Sequence, residues 1–150
     1  MKVSEVSIDI VYHNQDFKLE KIEKGDWIDL RSAETVDLRH GEDRIISLGV
    51  SMRLPEGYEA HIVPRSSTFK KWGILQVNGI GIIDNSYSGD DDIWGFHALA
   101  IRHSHIYKGD RICQFRIMKR QPEVNLKSVD YLDGENRGGF GSTGKKRSCE

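Results

Sequence analysis

The chain has 150 residues, and its 22 lysines and arginines almost balance its 23 aspartates and glutamates, which leaves a net charge of −1. This length favours one domain that buries about 70% of its unfolded surface, and the near-neutral charge argues against a nucleic-acid or anionic-membrane binder. No apolar run reaches the ~20 residues of a membrane span, the first residues lack the apolar core of a signal peptide, and the cysteine spacing matches neither a disulfide framework nor a metal site. We therefore expect a soluble cytoplasmic domain.

Alternating apolar and polar residues predict short strands along most of the chain. The predicted strands cover 3–12, 27–33, 44–55, 58–64, 74–78, 92–101, the second part of 107–118, and 124–129, with a hairpin over 78–89. About nine strands with regular turn signals, and no helix longer than two turns, indicate an all-β sandwich or barrel.

Residues 64–73 combine several groups that bind anions. Pro64 ends a predicted strand, and Arg65, Ser66 and Ser67 follow it directly. Either serine could cap a short helical turn that ends at Gly73. Free backbone amides, hydroxyls and a guanidinium together favour phosphate, although a serine pair before a helix is more often only a cap.

The stretch 78–89, NGIGIIDNSYSG, is the centre of the predicted site. Glycine within a strand marks a bulge or a place where another group approaches the backbone. Bare backbone at Gly79 and Gly81, a carboxylate at Asp84 and a ring at Tyr87 favour a flat ligand. The alternative, a glycine-softened core hairpin that ends in a turn aspartate, remains open on these residues alone.

The last residues differ from the rest in composition. From Asp130 the chain is rich in glycine and poor in apolar residues, so it cannot form a core and we expect it to be mobile. A glycine-rich segment with hydroxyls and Arg137 can wrap phosphates through backbone amides. The sequence thus predicts a β domain over 1–132 and a flexible C-terminal arm over 133–150. Asp29, Arg65, Asp84, Gln114 and the arm together favour a nucleotide or another phosphorylated ligand.

These segments resemble the motifs of a known enzyme family. The chain is similar to the trimeric dUTPases (dUTP diphosphatases), whose five motifs are matched in order by WIDLRSA (27–33), PRSS (64–67), GIIDNSYSG (81–89), GDRICQ (109–114) and RGGFGSTG (137–144). The pattern is most similar to the phage and Bacillus-type branch.

The resemblance implies a jelly-roll-like β-clip fold, a homotrimer with sites at subunit interfaces, and Mg²⁺-assisted hydrolysis of dUTP to dUMP and pyrophosphate. Asp84 would deprotonate the attacking water, and Asp29 would hold a magnesium-bound water. The backbone around Gly81 would contact uracil, and Tyr87 would pack under the deoxyribose. The implied substrate-binding residues are Arg65, Ser66, Ser67, Asn78, Gly81, Ile83, Tyr87, Gln114, Arg137, Phe140, Gly141, Ser142 and Thr143.

Three positions depart from the family pattern. Phe140 follows Arg137 by three residues instead of five, so Trp94 is an alternative for part of the aromatic lid. Ser67 and Thr68 stand where glycine and an apolar residue are commoner, and Ser86 stands where a second acid is frequent. Asp84 is then the only carboxylate candidate in its hairpin.

Two other function classes remain open. A dCTP deaminase or a bifunctional enzyme shares the fold, but a deaminase should carry an additional glutamate in its base pocket, and none falls within 78–89. A phage regulatory protein that acts by binding another protein is the second alternative, and it implies a protein partner if the chain is phage-encoded. Apart from that possible partner, we expect dUTP and other copies of the chain as partners, and neither nucleic acid nor membrane.

Overall fold

The computed structural model describes residues 4–13, 16–141 and 144. The described part of the chain contains eleven strands and one short helix. In chain order these are β1 (Asp9–Tyr12), β2 (Ile28–Arg31), β3 (Val36–Leu38), β4 (Asp43–Ser47), β5 (Val50–Arg53), β6 (Tyr58–Pro64), α1 (Thr68–Trp72), β7 (Ile74–Gln76), β8 (Gly81–Ile83), β9 (Gly95–Ala100), β10 (Ser104–Ile106) and β11 (Arg111–Lys119). The expectation of an all-β fold is confirmed.

All strand pairs are antiparallel, and the largest sheet has the order β2-β11-β6-β8. A second sheet has the order β4-β9-β7, and two strand pairs, β1-β5 and β10-β3, complete the fold. Each predicted motif before the arm lies on the four-stranded sheet or on a loop that leaves it. That sheet therefore positions the candidate site.

The core lies among inward-facing residues of these sheets and includes the fully buried Trp94, Phe96, Leu30 and Ile62. The Trp94 and Phe115 rings pack edge to face with centroids 5.1 Å apart. Alternating burial along β6 and β9 follows from the opposite directions of successive side chains on a strand. Among the described residues, no helix has the length and apolar character that a membrane crossing requires.

The predicted long strand over 44–55 is wrong, because the chain forms two strands there. β4 pairs with β9, whereas β5 pairs with β1, and the two strands belong to different sheets. Gly49 lies between them with a left-handed φ of 65°, a conformation that glycine adopts without a steric penalty. Apolar alternation continues through this corner, so the sequence pattern does not reveal it.

The predicted strand over 124–129 is also absent, since these residues have no regular secondary structure in the described chain. Val124 and Leu126 are spaced as on one face of a strand, but both are exposed, and so is Val129. A period-two pattern places apolar side chains on one face of a strand. A strand also needs a neighbouring backbone to complete its hydrogen bonds. The strands β3 and β10, of three residues each, were not among the predicted strands.

The chain divides into two compact units, Met1–Arg120 and Gln121–Glu150. Among the described residues, every buried apolar residue belongs to the first unit. The second unit includes Arg137, Phe140 and Gly141, of which Phe140 and Gly141 have left-handed φ values of 51° and 88°. Phe140 is exposed. The predicted phosphate-binding residues Ser142 and Thr143 lie outside the described residues.

Candidate active site

The Pro-Arg-Ser-Ser segment leaves the end of β6 and turns at once into α1. Thr68, which is fully buried, fixes this turn. Its Oγ1 accepts a hydrogen bond from the Arg65 N–H at 2.7 Å and donates one to the Ile112 carbonyl at 2.8 Å. Ser66 is exposed, and Ser67 occupies the helix N-cap without a side-chain capping bond. Ser67 therefore occupies the N-cap position, but its side chain does not cap the helix. The Thr68 hydroxyl holds the loop instead.

Asp29 lies between two arginines next to this loop. Its Oδ1 is 3.2 Å from Nε of Arg65, and its Oδ2 is 3.7 Å from Nη1 of Arg111. The Asp29 side chain is only 13% exposed. The ion pairs follow from strand register, because Asp29 on β2 lies opposite Gln114 on β11, whose neighbour Cys113 lies opposite Pro64 at the end of β6.

Gln114 completes this first group. It is half-buried, and its Nε2 donates to the Pro64 carbonyl at 3.2 Å. The structure thus brings together Asp29, Arg65 and Gln114, with Ser66 and Ser67 adjacent in the chain, and we call these five residues the phosphate-side group. Burial raises the pKa of the Cys113 thiol well above its usual value, with the nearby Asp29 charge acting in the same direction. That thiol is therefore no nucleophile at neutral pH.

The hairpin residues form a second group around a pocket of about 360 Å³. The pocket is lined by Ile82, Ile83, Asp84, Ser86, Tyr87, Ile93, Trp94 and Gly95. The Tyr87 hydroxyl donates to the Ile93 carbonyl at 3.1 Å, which fixes the ring at the pocket wall. Asn78 lies in the turn before β8 and is exposed. Of the predicted residues, Ile83, Asp84 and Tyr87 line the pocket, whereas Asn78 and Gly81 do not. We call these five residues the base-side group.

Gly81 packs closely against the neighbouring strand. A side-chain Cβ at this position would come within 3.1 Å of Cβ of Ile62 and 3.2 Å of Nε2 of Gln76. Gln76 in turn donates to the Ile62 carbonyl at 3.1 Å. A side chain at this position would crowd Ile62 and Gln76, which agrees with the core-hairpin interpretation.

Asp84 is exposed and held by a single neighbour. Its Oδ1 accepts hydrogen bonds from the Ser86 hydroxyl at 2.6 Å and from the Ser86 N–H at 2.9 Å. These bonds, the hydroxyl first, lower the pKa of the Asp84 carboxyl below its usual value. The carboxylate is therefore ionised at neutral pH and able to accept a proton.

Asn85 anchors the end of the hairpin. Its Nδ2 lies 2.9 Å from the Pro55 carbonyl, 3.1 Å from the Tyr58 carbonyl and 3.4 Å from the Leu54 carbonyl. Asp84 is thus presented by a turn that is attached to the loop between β5 and β6. Sequence reasoning missed this anchor, as it missed Arg111 and Thr68. The only available signal was an asparagine directly after a strand, where side chains commonly bond to local backbone.

Asp84 and the phosphate-side group lie towards opposite ends of β6. Ile83 pairs with Ala60, which places Asp84 level with Glu59 near the start of β6, whereas Arg65 follows the last residue of β6. Gly81 pairs with Ile62 and lies between these two positions. Six residues of extended chain separate the two positions, or about 20 Å at the rise of a β-strand. Within one chain, the Asp84 carboxylate and the phosphate-side group are therefore too far apart to act on one phosphorus atom.

Trp94 does not form part of an aromatic lid, and that alternative is wrong. Its side chain is completely buried and packs on Phe115. A lid has to reach a ligand from the solvent side, which a core tryptophan does not do.

Comparison with known proteins connects this geometry to a family. A family model described as dUTPase matches residues 9–144. The SPbeta prophage-derived deoxyuridine 5'-triphosphate nucleotidohydrolase YosS of Bacillus subtilis is 58% identical over 129 residues, which cover 86% of this chain and 91% of that protein.

Two solved structures have the same fold. The dUTPase of Staphylococcus bacteriophage 80alpha, solved with dUpNHpp, superposes with a TM-score of 0.77 at 22% identity, over 93% of this chain and 99% of that one. The dUTPase of phage phi11 of S. aureus, described with a structural Mg(II) ion, superposes with a TM-score of 0.72 at 20% identity, over 86% of this chain and 100% of that one. The family match spans both groups of site residues, and the chain belongs to the dUTPase family.

Proposed function

We propose that this chain hydrolyses dUTP to dUMP and pyrophosphate, which removes dUTP and supplies dUMP. The observation that carries the proposal is the ionised Asp84 carboxylate beside the Tyr87 ring and the β8 backbone in one pocket. A carboxylate for the water, a ring for the sugar and free backbone for a base are the groups that this reaction needs at the α-phosphate end of the substrate.

The chemical step is a displacement at phosphorus. Asp84 accepts a proton from water, the water oxygen bonds to the α-phosphorus, and the bond from that phosphorus to the oxygen shared with the β-phosphorus breaks. Pyrophosphate leaves with that oxygen. Catalysis of this kind depends mainly on positioning and on stabilising the charge of the transferring group.

The base-side group provides selectivity. Asn78 and the backbone from Gly81 to Ile83 bind the uracil edge, and Tyr87 packs under the deoxyribose and excludes a 2′-hydroxyl. A pocket that satisfies the hydrogen bonds of one base rejects another base strongly, because the wrong base leaves buried polar groups unpaired.

The phosphate-side group binds the triphosphate. Ser66, Ser67 and Gln114 provide neutral donors for the α- and β-phosphate oxygens, and Arg65 provides charge beside them. Arg137 and the backbone at Gly141, with Ser142 and Thr143, close on the γ-phosphate, while Phe140 stacks over the base. These roles, and the division into a β domain over 1–132 and an arm over 133–150, stay predictions.

Asp29 is the proposed magnesium-side carboxylate. The described residues contain no group of three or more His, Cys, Asp or Glu side chains able to hold a metal ion. Mg²⁺ commonly keeps several waters and binds one or two carboxylates together with substrate phosphates, and it does not need an all-protein cage. A single Asp29 carboxylate, fixed by Arg65 and Arg111, fits an ion that substrate phosphates hold and that Asp29 contacts through water. When bound, the ion neutralises phosphate charge.

We further propose that the active site is shared between copies of the chain in a homotrimer. The support is the separation of Asp84 from the phosphate-side group, about 20 Å along one strand. If a second copy places its base-side group against the phosphate-side group of the first, one substrate reaches both. The enzyme then acts in the cytoplasm, with dUTP and its own copies as partners and without nucleic acid or membrane.

The proposed function is tested with the Asp84→Asn variant. We expect Asp84→Asn to bind a non-hydrolysable dUTP analogue and to release pyrophosphate from dUTP about 10²–10⁴-fold more slowly, since only the base is lost. Asp91→Asn, an exposed acid outside the pocket, is the matched control and should retain the wild-type rate. Equal rates for wild type and Asp84→Asn would remove Asp84 from the mechanism, and ammonia release from dCTP would favour the deaminase instead.

A further inference from the structure

The ring of Phe17 lies against the turn 107–110, which precedes β11. A side-chain Cβ at Gly109 would come within 2.6 Å of Cε2 of Phe17, so the ring occupies the space that a side chain there would need. Cζ of Arg31 lies 5.0 Å from the centre of the Phe17 ring, which is a cation–π distance. Nη1 of Arg31 donates to the Gly109 carbonyl at 2.8 Å. Phe17, Arg31 and Gly109 thus form one group of contacts, which we call the Phe17 cluster.

The chain around Phe17 is held in place on both sides of that residue. Nζ of Lys108, in the same turn as Gly109, lies 3.5 Å from Oδ2 of Asp16. The Leu19 N–H donates to the Tyr12 hydroxyl at 3.1 Å, and the Leu19 side chain packs against the core. The segment 16–19 is therefore attached both to the turn and to the domain.

The turn leads directly into the phosphate-side group. Gly109 precedes Arg111 by two residues, and the Gly109 N–H donates to the Ser32 carbonyl at 2.8 Å. The Arg111 carbonyl accepts a hydrogen bond from Nη1 of Arg65 at 2.7 Å. Nη1 of Arg111 lies 3.7 Å from Oδ2 of Asp29. A displacement of the turn therefore moves Arg111 relative to both Asp29 and Arg65.

We propose that Phe17 is a positioning residue for the phosphate-side group. Its ring orients the Arg31 guanidinium, which holds the Gly109 carbonyl and so fixes the start of β11. Phe17 acts through Arg31 and does not itself contact the substrate. It precedes the first of the five motifs by ten residues. The inference rests on the proposed function for the ligand of the phosphate-side group.

The test measures the binding of a non-hydrolysable dUTP analogue, with Mg²⁺, to the full-length wild type and to Phe17→Leu. Leucine keeps an apolar side chain against Gly109 but offers no aromatic face to Arg31. We expect Phe17→Leu to bind the analogue about 2- to 5-fold more weakly, the factor that one exposed cation–π contact contributes. Phe17→Tyr keeps the ring and should bind like the wild type. All proteins are measured well below their unfolding midpoints, where a loss of stability alone leaves the affinity unchanged.

Ile22→Ala is the matched control for Phe17→Leu. Ile22 belongs to the same connection between β1 and β2, and its exposed fraction is similar, 47% against 42% for Phe17. Ile22→Ala should bind the analogue like the wild type. A loss as large as that of Phe17→Leu would show a general disturbance of the connection and would overturn the proposal.

A double-mutant cycle tests whether Phe17 acts through Arg31. Arg31→Gln removes the charge that the ring contacts, so adding Phe17→Leu to Arg31→Gln should cause no further loss of affinity. Losses that multiply in the double variant would overturn the proposal. Wild-type affinity of Phe17→Leu, or a failure of Phe17→Tyr to retain affinity, would do the same.

A readout without nucleotide separates this inference from the proposed function. An aromatic ring shifts the magnetic resonance signals of protons that lie over its face. We expect the Nε–H signal of Arg31 to move in Phe17→Leu and to stay near its wild-type position in Phe17→Tyr. An unchanged signal in Phe17→Leu would overturn the positioning role, whereas failure of the proposed function would appear as absence of dUTP hydrolysis by the wild type.

Discussion

At the scale of single residues, Ser86 lowers the pKa of the Asp84 carboxyl. Both hydrogen bonds to its carboxylate come from that serine, and they lower the pKa of Asp84. A lowered pKa means that the proton-accepting form is present at neutral pH and is lost only as the pH falls through the lowered value. Ser86 therefore acts as a hydrogen-bond donor to the carboxylate that we propose as the base.

We therefore expect Ser86→Ala to shift the acid limb of the activity profile to higher pH. Without the hydroxyl donor the pKa of Asp84 rises toward its usual value, so the base becomes protonated at a higher pH. The measurement is kcat/KM for dUTP against pH, with Ser88→Ala as a control because Ser88 lies outside the pocket around Asp84. An unchanged acid limb in folded Ser86→Ala would show that another group controls it.

Thr68 illustrates a residue whose importance is structural. It is fully buried, and its hydroxyl bonds to both the Arg65 N–H and the Ile112 carbonyl. Thr68→Val keeps the approximate volume but leaves these two buried groups without that partner. We expect a loss of about 1–3 kcal/mol in the free energy of unfolding, measured by urea titration at fixed protein concentration.

Ser67→Ala is the matched comparison for Thr68→Val. Ser67 precedes Thr68 at the helix N-cap but makes no side-chain capping bond. Its replacement should change the free energy of unfolding by less than ~0.5 kcal/mol, the usual range for surface substitutions. A loss for Ser67→Ala as large as that for Thr68→Val would contradict the assignment of the loop to the Thr68 hydroxyl.

At the scale of elements, the helix α1 and the strand β6 were predictable, and the corner at Gly49 was not. The residues 58–64 alternate cleanly and form β6 over the same range, and Gly73 ends α1 in the left-handed conformation, as predicted. Both elements follow from residues within the segment itself, namely the alternation in β6 and the glycine that ends α1. The break between β4 and β5 depends on which strands each half pairs with, and the sequence alone carries no signal for that pairing.

The C-terminal arm is the element whose removal separates folding from catalysis. All buried apolar residues in the described part of the chain lie in the unit Met1–Arg120. Truncation after Asp133 should therefore leave the unfolding midpoint almost unchanged. It should slow dUTP hydrolysis at least ~10-fold, since Arg137 and the donors around Gly141 are lost and each charged hydrogen bond contributes about 1.5–3 kcal/mol.

Truncation after Gly144 is the control for the arm, because it removes only residues 145–150 and keeps the fifth motif. It should retain the rate of the full-length chain. Full activity after truncation at Asp133 would show that the arm does not bind phosphate.

At the scale of the whole molecule, the separation of Asp84 from the phosphate-side group along β6 bears directly on the proposed shared site. A shared site predicts complementation between inactive variants. Asp84→Asn lacks the base and Gln114→Ala lacks a phosphate donor, so each alone should be nearly inactive. Refolding an equal mixture should restore activity to about one quarter of the wild-type value, because random assortment in a symmetric oligomer places intact partners at that fraction of sites.

The control mixes Asp84→Asn with the double variant Asp84→Asn/Gln114→Ala. This mixture contains no chain with an intact Asp84, so it should stay inactive. Light scattering on the same samples measures the mass and tests the trimer. A failure of the first mixture to recover activity, at a trimeric mass, would place both groups of one site in the same chain.

The sequence by itself determined the all-β class, and it predicted the candidate site residues from short motifs. Both depend on residues that are close together in the sequence. Apolar alternation follows from strand geometry, and Arg65, Asp84 and Gln114 each lie in a short motif. Only the tertiary structure decided which of these residues meet. Strand register brings Asp29 between Arg65 and Arg111 and makes Arg31 their neighbour, and it holds Asp84 at the other end of β6. Register depends on pairing between distant segments, and that pairing separates the two halves of the site within one chain.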